Sequence, residues 1–252
     1  MALFFQNVLA DAVKISDVEK EYTVSPTVNA SKMLKQQFDF GLFSTTGNSD
    51  TLSINGKYAL SFTLKGYNEN DLKIAWDASV FVTKNNGIRD NEEYTVNLGL
   101  EQELYQGWLG YGAVSWLRNT FRNFDNKYAI GVGVGKKVFE QQNHSLKVKL
   151  GVAYNKEAYS NLQANNTYAS LNEYAQYAYQ INELSAFVVK IGASQNFEDL
   201  NDYDVLSVAG LHFSLSQNIS LSLEQEIRYD KIPPVGFSKT DTKSIVRVGY
   251  SF

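Results

Sequence analysis

The chain predicts an all-β fold, an antiparallel up-and-down transmembrane β-barrel of about twelve strands running from residue 35 to residue 252. Three observations predict it. From Lys35 onward, apolar and polar residues alternate with a period of two in stretch after stretch. The connections between stretches are alternately short and longer. The last stretch, 242–252, ends on an aromatic residue, with Val246, Val248, Tyr250 and Phe252 on one face and Lys243, Ile245, Arg247, Gly249 and Ser251 on the other. In a membrane barrel the apolar face meets lipid and the polar face the lumen. A soluble barrel or sandwich shows the same alternation with the faces exchanged, since period alone does not say which face is inside. Strand number favours the membrane, because about twelve long strands enclose more space than apolar side chains fill.

Composition narrows the function classes. The chain has 252 residues, a formal charge of -4 and a mean hydropathy of -0.29. It contains no run of about 18 apolar residues, which excludes a helical membrane span. Sixteen Tyr, 15 Phe and 3 Trp can supply interfacial aromatic belts. Cysteine is absent, so thiolate metal sites, thiol catalysis and a disulfide framework are excluded. Mild acidity argues against nucleic acid as a partner. The three prolines, Pro26, Pro233 and Pro234, all fall outside the stretches read as strands, as an uninterrupted ladder requires.

Residues 1–34 stand apart from the rest. Phe4, Phe5, Val8, Leu9, Ala12 and Val13 recur at helical spacing, and Asp17, Glu19, Lys20 and Glu21 then bring charge. One reading is a short periplasmic helix and linker. The other is the remnant of a secretion signal, with small residues near Ala10 and Ala12 but no basic residue ahead of the apolar part. An outer-membrane protein needs such a signal, so a further upstream segment is expected.

The first strand alternates Phe38, Phe40 and Leu42 with Gln37, Asp39 and Gly41, and a polar turn follows at 45–50. The second alternates Leu52, Ile54, Tyr58, Leu60, Phe62 and Leu64 with Ser53, Asn55, Lys57, Ser61 and Thr63. That is long enough to cross a bilayer at a tilt. Ten further strands are expected near 72–83, 93–104, 108–118, 127–138, 145–154, 171–180, 185–195, 203–214, 219–229 and 242–252. An even count puts both termini on the periplasmic side. The connections near 66–71, 105–107, 139–144, 181–184 and 215–218 are short, as periplasmic turns are. Those at 84–91, 155–170 and 230–241 are longer and more polar, as external loops are.

Two segments carry a resemblance. The first is 41–51, in which Gly41, Leu42 and Phe43 lead into Thr45, Thr46, Gly47, Asn48, Ser49 and Asp50. The second comprises Tyr229, Asp230, Lys231, Ile232, Pro233 and Pro234, then Lys239, Thr240, Asp241 and Thr242, ending at 248–252. Together they resemble the salt-induced outer-membrane protein family of Gram-negative bacteria, whose function is unknown. The resemblance implies an outer-membrane barrel spanning about 38–252 and brings no catalytic residues. Physically, Gly47 permits a positive φ, and Asn48 and Asp50 can bond back to the local backbone.

Candidate chemistry resolves into structure. Gly131, Gly133 and Gly135 before Lys136 lack the spacing of a phosphate loop. With Gly110 and Gly112 they are expected to leave one lumen wall bare. His144 falls in a periplasmic turn, while His212 alternates with Leu211 and Phe213 and points inward. Glu224, Glu226 and Arg228 share a face, and Lys243 and Arg247 lie on the matching face of the last strand. Asp39, Lys57, Asp77, Lys147, Lys149 and Lys190 extend this set around the lumen, which reads as an ion-pair ladder rather than an acid–base pair. Tyr250 and Phe252 are read as the insertion signal.

No cofactor, metal or enzymatic activity is expected. The expected partners are the lipid bilayer, lipopolysaccharide and the barrel assembly machinery, with the oligomeric state open. Two functions remain: a narrow passive, porin-like pore for small polar solutes or ions with an envelope or osmotic role, or a structural or partner-binding protein with a closed lumen.

Overall fold

In the computed structural model the described residues are 34–45, 51–119, 123–141, 143–160, 164–233 and 238–252. The helix-or-signal question at the N terminus and the turn residues Thr46, Gly47, Asn48, Ser49 and Asp50 lie outside them. The twelve strands are β1 (Leu34–Thr45), β2 (Thr51–Lys65), β3 (Asp71–Asn85), β4 (Ile88–Tyr105), β5 (Trp108–Asn119), β6 (Phe124–Glu140), β7 (His144–Tyr159), β8 (Asn166–Asn182), β9 (Ser185–Asn196), β10 (Tyr203–Ser214), β11 (Ile219–Asp230) and β12 (Thr240–Ser251). Each pairs antiparallel with its neighbours in sequence, and β1 pairs with β12, so the sheet closes on itself. Closure leaves no edge with unpaired backbone groups, which lipid would not tolerate. None of the described helices is long and apolar enough to cross a membrane.

Several strands run beyond the lengths their alternation suggests. The expected loop at 84–91 is instead a tight hairpin at Asn86 and Gly87, whose φ values are 49° and 78°. Asn-Gly accepts positive φ at both central positions, and the twist of that turn matches the flanking strands. Gln106 and Gly107 make the same kind of turn at the other end, at 44° and 78°. The expected loop at 155–170 shrinks to 160–165, because β7 and β8 stay paired out to Glu157 and Asn166.

The two faces of the wall are chemically opposite. Outward residues are apolar and exposed: Val132 is 60 % exposed, Val152 49 % and Ile130 57 %, whereas inward Asp39 is 0 % and Lys149 4 % exposed. A soluble barrel would reverse that assignment, so this one needs an apolar surrounding. Exposed Tyr67, Tyr105, Trp108, Tyr179 and Tyr250 ring the end that carries the short turns. Tyr128, Tyr154 and Phe197 lie toward the opposite end, with aliphatic side chains between the two groups. Amphipathic rings placed this way suit the two lipid–water interfaces.

The closing strand is fixed by register and by its end. Phe38 pairs with Tyr250 and Phe40 with Val248, and the Phe252 N–H donates to the Gln36 carbonyl oxygen at 3.2 Å. The Phe252 ring sits 6.0 Å from that of Tyr250 on the outer surface. We expect deletion of Phe252 to cut membrane insertion severalfold with little effect from Leu34→Ala, read as the fraction of chain showing the heat-modifiable, folded gel band. Equal insertion of truncated and intact chains would contradict a role for this residue beyond packing.

Candidate functional site

The inner wall is the candidate site, and alternation builds it. In each strand every second side chain points inward, and in this chain those positions carry Lys, Arg, Asp, Glu, Asn, Gln and Ser far more often than a core would. Asp39, Lys57, Asp77, Lys147, Lys149, Lys190, His212, Glu224, Glu226, Arg228 and Arg247 are all buried, and Lys243 is half-buried. Charges held at that depth need partners.

The structure brings part of this set together. Arg247 Nη1 donates to Glu224 Oε2 at 2.5 Å between adjacent strands. Glu226 faces Lys243 in register at 3.6 Å, and Arg228 lies 4.0 Å from Glu226. Asp39 pairs in register with Lys57 and accepts from Gln37 Nε2 at 2.7 Å. Asp77 accepts from Asn97 Nδ2 at 3.2 Å. His212 Nδ1 is 3.0 Å from Ser222 Oγ, its ring folded over Gly210. His144 contacts Gln141 at 2.5 Å and packs against Phe139 and Tyr177.

Two carboxylates that the sequence did not single out, Glu93 and Glu101, organise the rest. Lys243 Nζ donates to both oxygens of Glu93 at 3.1 Å, while Asn119 Nδ2 donates to Glu93 at 2.9 Å. Glu93 is on β4 and Lys243 on β12, so this pair bridges the inner faces of β1, β2 and β3. Lys243 also lies over the Phe81 ring, 5.6 Å from its centroid. At the short-turn half, Lys147 reaches Glu101 at 3.3 Å and Lys149 bonds the same carboxylate, both from β7 across β5 and β6. A third pair, Lys127 with Glu157 at 3.1 Å, is tied to Tyr168, whose hydroxyl donates at 2.9 Å.

Glycine clears the wall beneath the Lys149–Glu101 reach. Tyr111, Gly133 and Gly151 stand side by side on β5, β6 and β7. The Tyr111 hydroxyl lies where a Cβ on either glycine would be, 2.5 Å away at Gly133. The ring therefore lies flat across two strands, with Lys149 Nζ 4.8 Å from its centroid. The glycine wall is thus covered rather than bare. Gly110 and Gly112 do not belong to it, because they pair with Val134 and Val132 on the outward face.

A small cavity of about 30 Å³, enough for a few water molecules, lies among Asn55, Lys57, Ser79, Phe81, Glu93, Glu226, Lys243, Ile245 and Arg247. Nearby, Gln37 Oε1, Asp39 Oδ2, Asn55 Oδ1, Ser220 Oγ and Ser251 Oγ are buried without a hydrogen-bond partner. Orphaned polar atoms are costly in a dry interior and cheap in a hydrated one. The described residues contain no cluster of three or more His, Cys, Asp or Glu side chains that could hold a metal ion.

Residues 38–252 match the family described as "Protein of unknown function, DUF481". No curated protein sequence matches the chain. Among solved structures, the crystal structure of the COG4313 outer membrane channel from Pseudomonas putida F1 aligns with a TM-score of 0.56 at 8% identity, covering 87% of this chain and 95% of that one. The NanC porin aligns at 0.46 with 14% identity, covering 87% and 98% of the two chains. The KdgM porin in complex with disordered oligogalacturonate aligns at 0.40 with 12% identity, covering 86% and 99%. With its apolar exterior and charged interior, the fold is that of a bacterial outer-membrane barrel.

Proposed function

Since this chain belongs to the DUF481 family, we propose that it serves as a narrow passive pore in the bacterial outer membrane, passing ions and small polar solutes and excluding larger ones. The observation that carries this reading is the inner wall. Charged and polar side chains line it from one end to the other, and several of their buried polar atoms have no hydrogen-bond partner in the protein, as a hydrated lumen allows. The Glu93–Lys243 and Glu101–Lys147–Lys149 bridges narrow it at two levels. Clear aqueous channels are typical of barrels with about 16 strands, so a twelve-stranded one crossed by ion pairs should conduct weakly. Asp39, Lys57, Asp77, Lys190, His212, Glu224, Glu226, Arg228 and Arg247 line the remaining path in this proposal.

Proteoliposomes carrying the full chain test it. Chloride and potassium should leak at rates above protein-free vesicles, while a trisaccharide stays trapped. Ion leakage no faster than in empty vesicles contradicts the pore.

A second reading is a closed, structural or partner-binding barrel, favoured by the burial of the lumen charges to a few per cent and by the bridges spanning several strands. Residues 1–34 would then serve as periplasmic helix, linker or plug, unless they are a signal remnant. Comparing leakage with and without them separates a plugged pore from a permanently closed barrel. Lipopolysaccharide around the outer rim and the barrel assembly machinery at Tyr250 and Phe252 are the partners this setting implies. A part in the osmotic response rests on the family resemblance alone, and normal growth of a deletion strain at high salt would remove it.

A further inference from the structure

The wall closes least firmly where its last strand meets its first. β1 and β12 are held in register over four pairs, from Gln37 with Ser251 to Phe40 with Val248. β2 holds β1 over twelve pairs, and β11 holds β12 over eleven. Fewer ladder bonds make a seam easier to part. The weakest stretch lies beyond Phe40 and Val248, in the half away from the short turns. There the Val246 carbonyl oxygen and the Asn55 side chain crowd the place that a Cβ on the inward-facing Gly41 would take, so β12 leans to the lumen side of β1.

Both sides of this stretch are marked. On the outer face Ser244 Oγ donates to Gln225 Oε1 at 2.5 Å, and both residues are exposed. Gln225 stands four residues from Tyr229, about 13 Å along β11 and well inside the apolar band. Polar groups at that depth in a membrane are costly and mark the path of a polar group. On the lumen side lies the small cavity, walled by Asn55 and Lys57 of β2 and by Lys243, Ile245 and Arg247 of β12, the strands that flank β1. Phe81 and Ile245 give it an apolar part. Asn55 Oδ1, an acceptor, and Arg247 Nε, a donor, are buried without a hydrogen-bond partner in the protein. A head group with a hydroxyl and an ester or phosphate oxygen supplies both partners, and one hydrocarbon chain attached to it passes through the seam into lipid. We propose that this half of the β1–β12 seam is a lateral portal for a single-chain amphiphile of the lysophospholipid class, its head in the cavity and its chain between the strands. The portal goes beyond the pore reading and does not depend on ion conduction.

The chain contains no cysteine, so a disulfide can be placed across the seam alone. Continuing the register sets Leu42 opposite Val246, both exposed on the outer face. The full chain is refolded into phosphatidylcholine vesicles with a lysophosphatidylcholine that carries a diazirine on its head group, and photolabelled residues are read by mass spectrometry. Label is expected on Phe81 and Ile245 in the parent. It should be lost when Leu42→Cys, Val246→Cys is oxidised and return on reduction. Phe40→Cys, Val248→Cys, oxidised within the registered part, should leave it unchanged. If the first disulfide does not form, Ile245→Trp, which fills the cavity, should remove the label from Phe81. Heat-modifiable migration shows that each variant is folded. Label confined to lipid-facing side chains of the parent overturns the portal. Lumen label that survives the oxidised lock, or survives Ile245→Trp where no lock forms, overturns it too, because the probe then enters by the mouth of the barrel.

Discussion

Arg247→Leu is expected to destabilise the folded barrel by about 3–5 kcal/mol, the cost of leaving a buried charge without its partner. Glu224 is 6 % exposed, and its one hydrogen-bonded oxygen is held by Arg247 at 2.5 Å; the other has no partner. Removing the guanidinium strands a carboxylate whose neighbours on the wall include Asp39 and Glu226. The double variant Arg247→Leu, Glu224→Leu should recover most of the loss, since a buried pair replaced by apolar residues of similar volume is often near neutral. Urea unfolding of the vesicle-refolded protein measures both. A single variant within about 0.5 kcal/mol of the parent, the range of an ordinary surface change, would show that the pair is solvated and that this level of the lumen is wide open.

Gly133→Val should cost at least as much as ordinary core overpacking, about 1–3 kcal/mol. A Cβ at that position meets the Leu150 carbonyl oxygen, the Tyr111 hydroxyl at 2.5 Å and the Gly151 Cα at 2.6 Å. Two of those three contacts are backbone and cannot swing away. Tyr111 would have to leave the wall, carrying with it the ring under Lys149. Gly112→Ala on the neighbouring strand is the matched control, because the nearest atoms to its Cβ stand at 3.8 Å, in ordinary contact. The same unfolding assay should separate the two variants clearly, and equal stability would mean that Tyr111 does not lie across the glycines.

Alternation made the barrel legible. The stretch 203–214 coincides with β10, and the apolar parity of 246, 248 and 250 is the parity of the exposed face of β12. What it did not convey was pairing across the lumen. Lys243 and Glu93 are 150 residues apart in the chain, and Lys149 and Glu101 are 48 apart, on strands that are not neighbours. Period-two reasoning assigns a face but no opposite wall. Their inward parity was nevertheless visible, since Glu93, Thr95, Asn97 and Glu101 alternate with Tyr94, Val96, Leu98 and Leu100 along β4. The glycines show the same limit. Gly110 and Gly112 differ in parity of facing from Gly131 and Gly133 only once the register of β5 against β6 is known, and that register follows from the turns and from closure. The hairpin at Asn86 and Gly87 was readable from turn chemistry alone, but the polar residues flanking it masked the strands on either side.

The most direct measurement of the central claim is single-channel recording of the full chain in planar bilayers, beside the variant Glu93→Gln, Lys243→Gln. The lumen bridge between β4 and β12 is one of the two narrowing elements in this account, and the one that spans the most strands. The parent should show small, uniform conductance steps, and the variant, with both charges removed and side-chain size kept, should show larger ones. Silence from both chains, or large and identical steps from both, would contradict a narrow pore constricted by this pair.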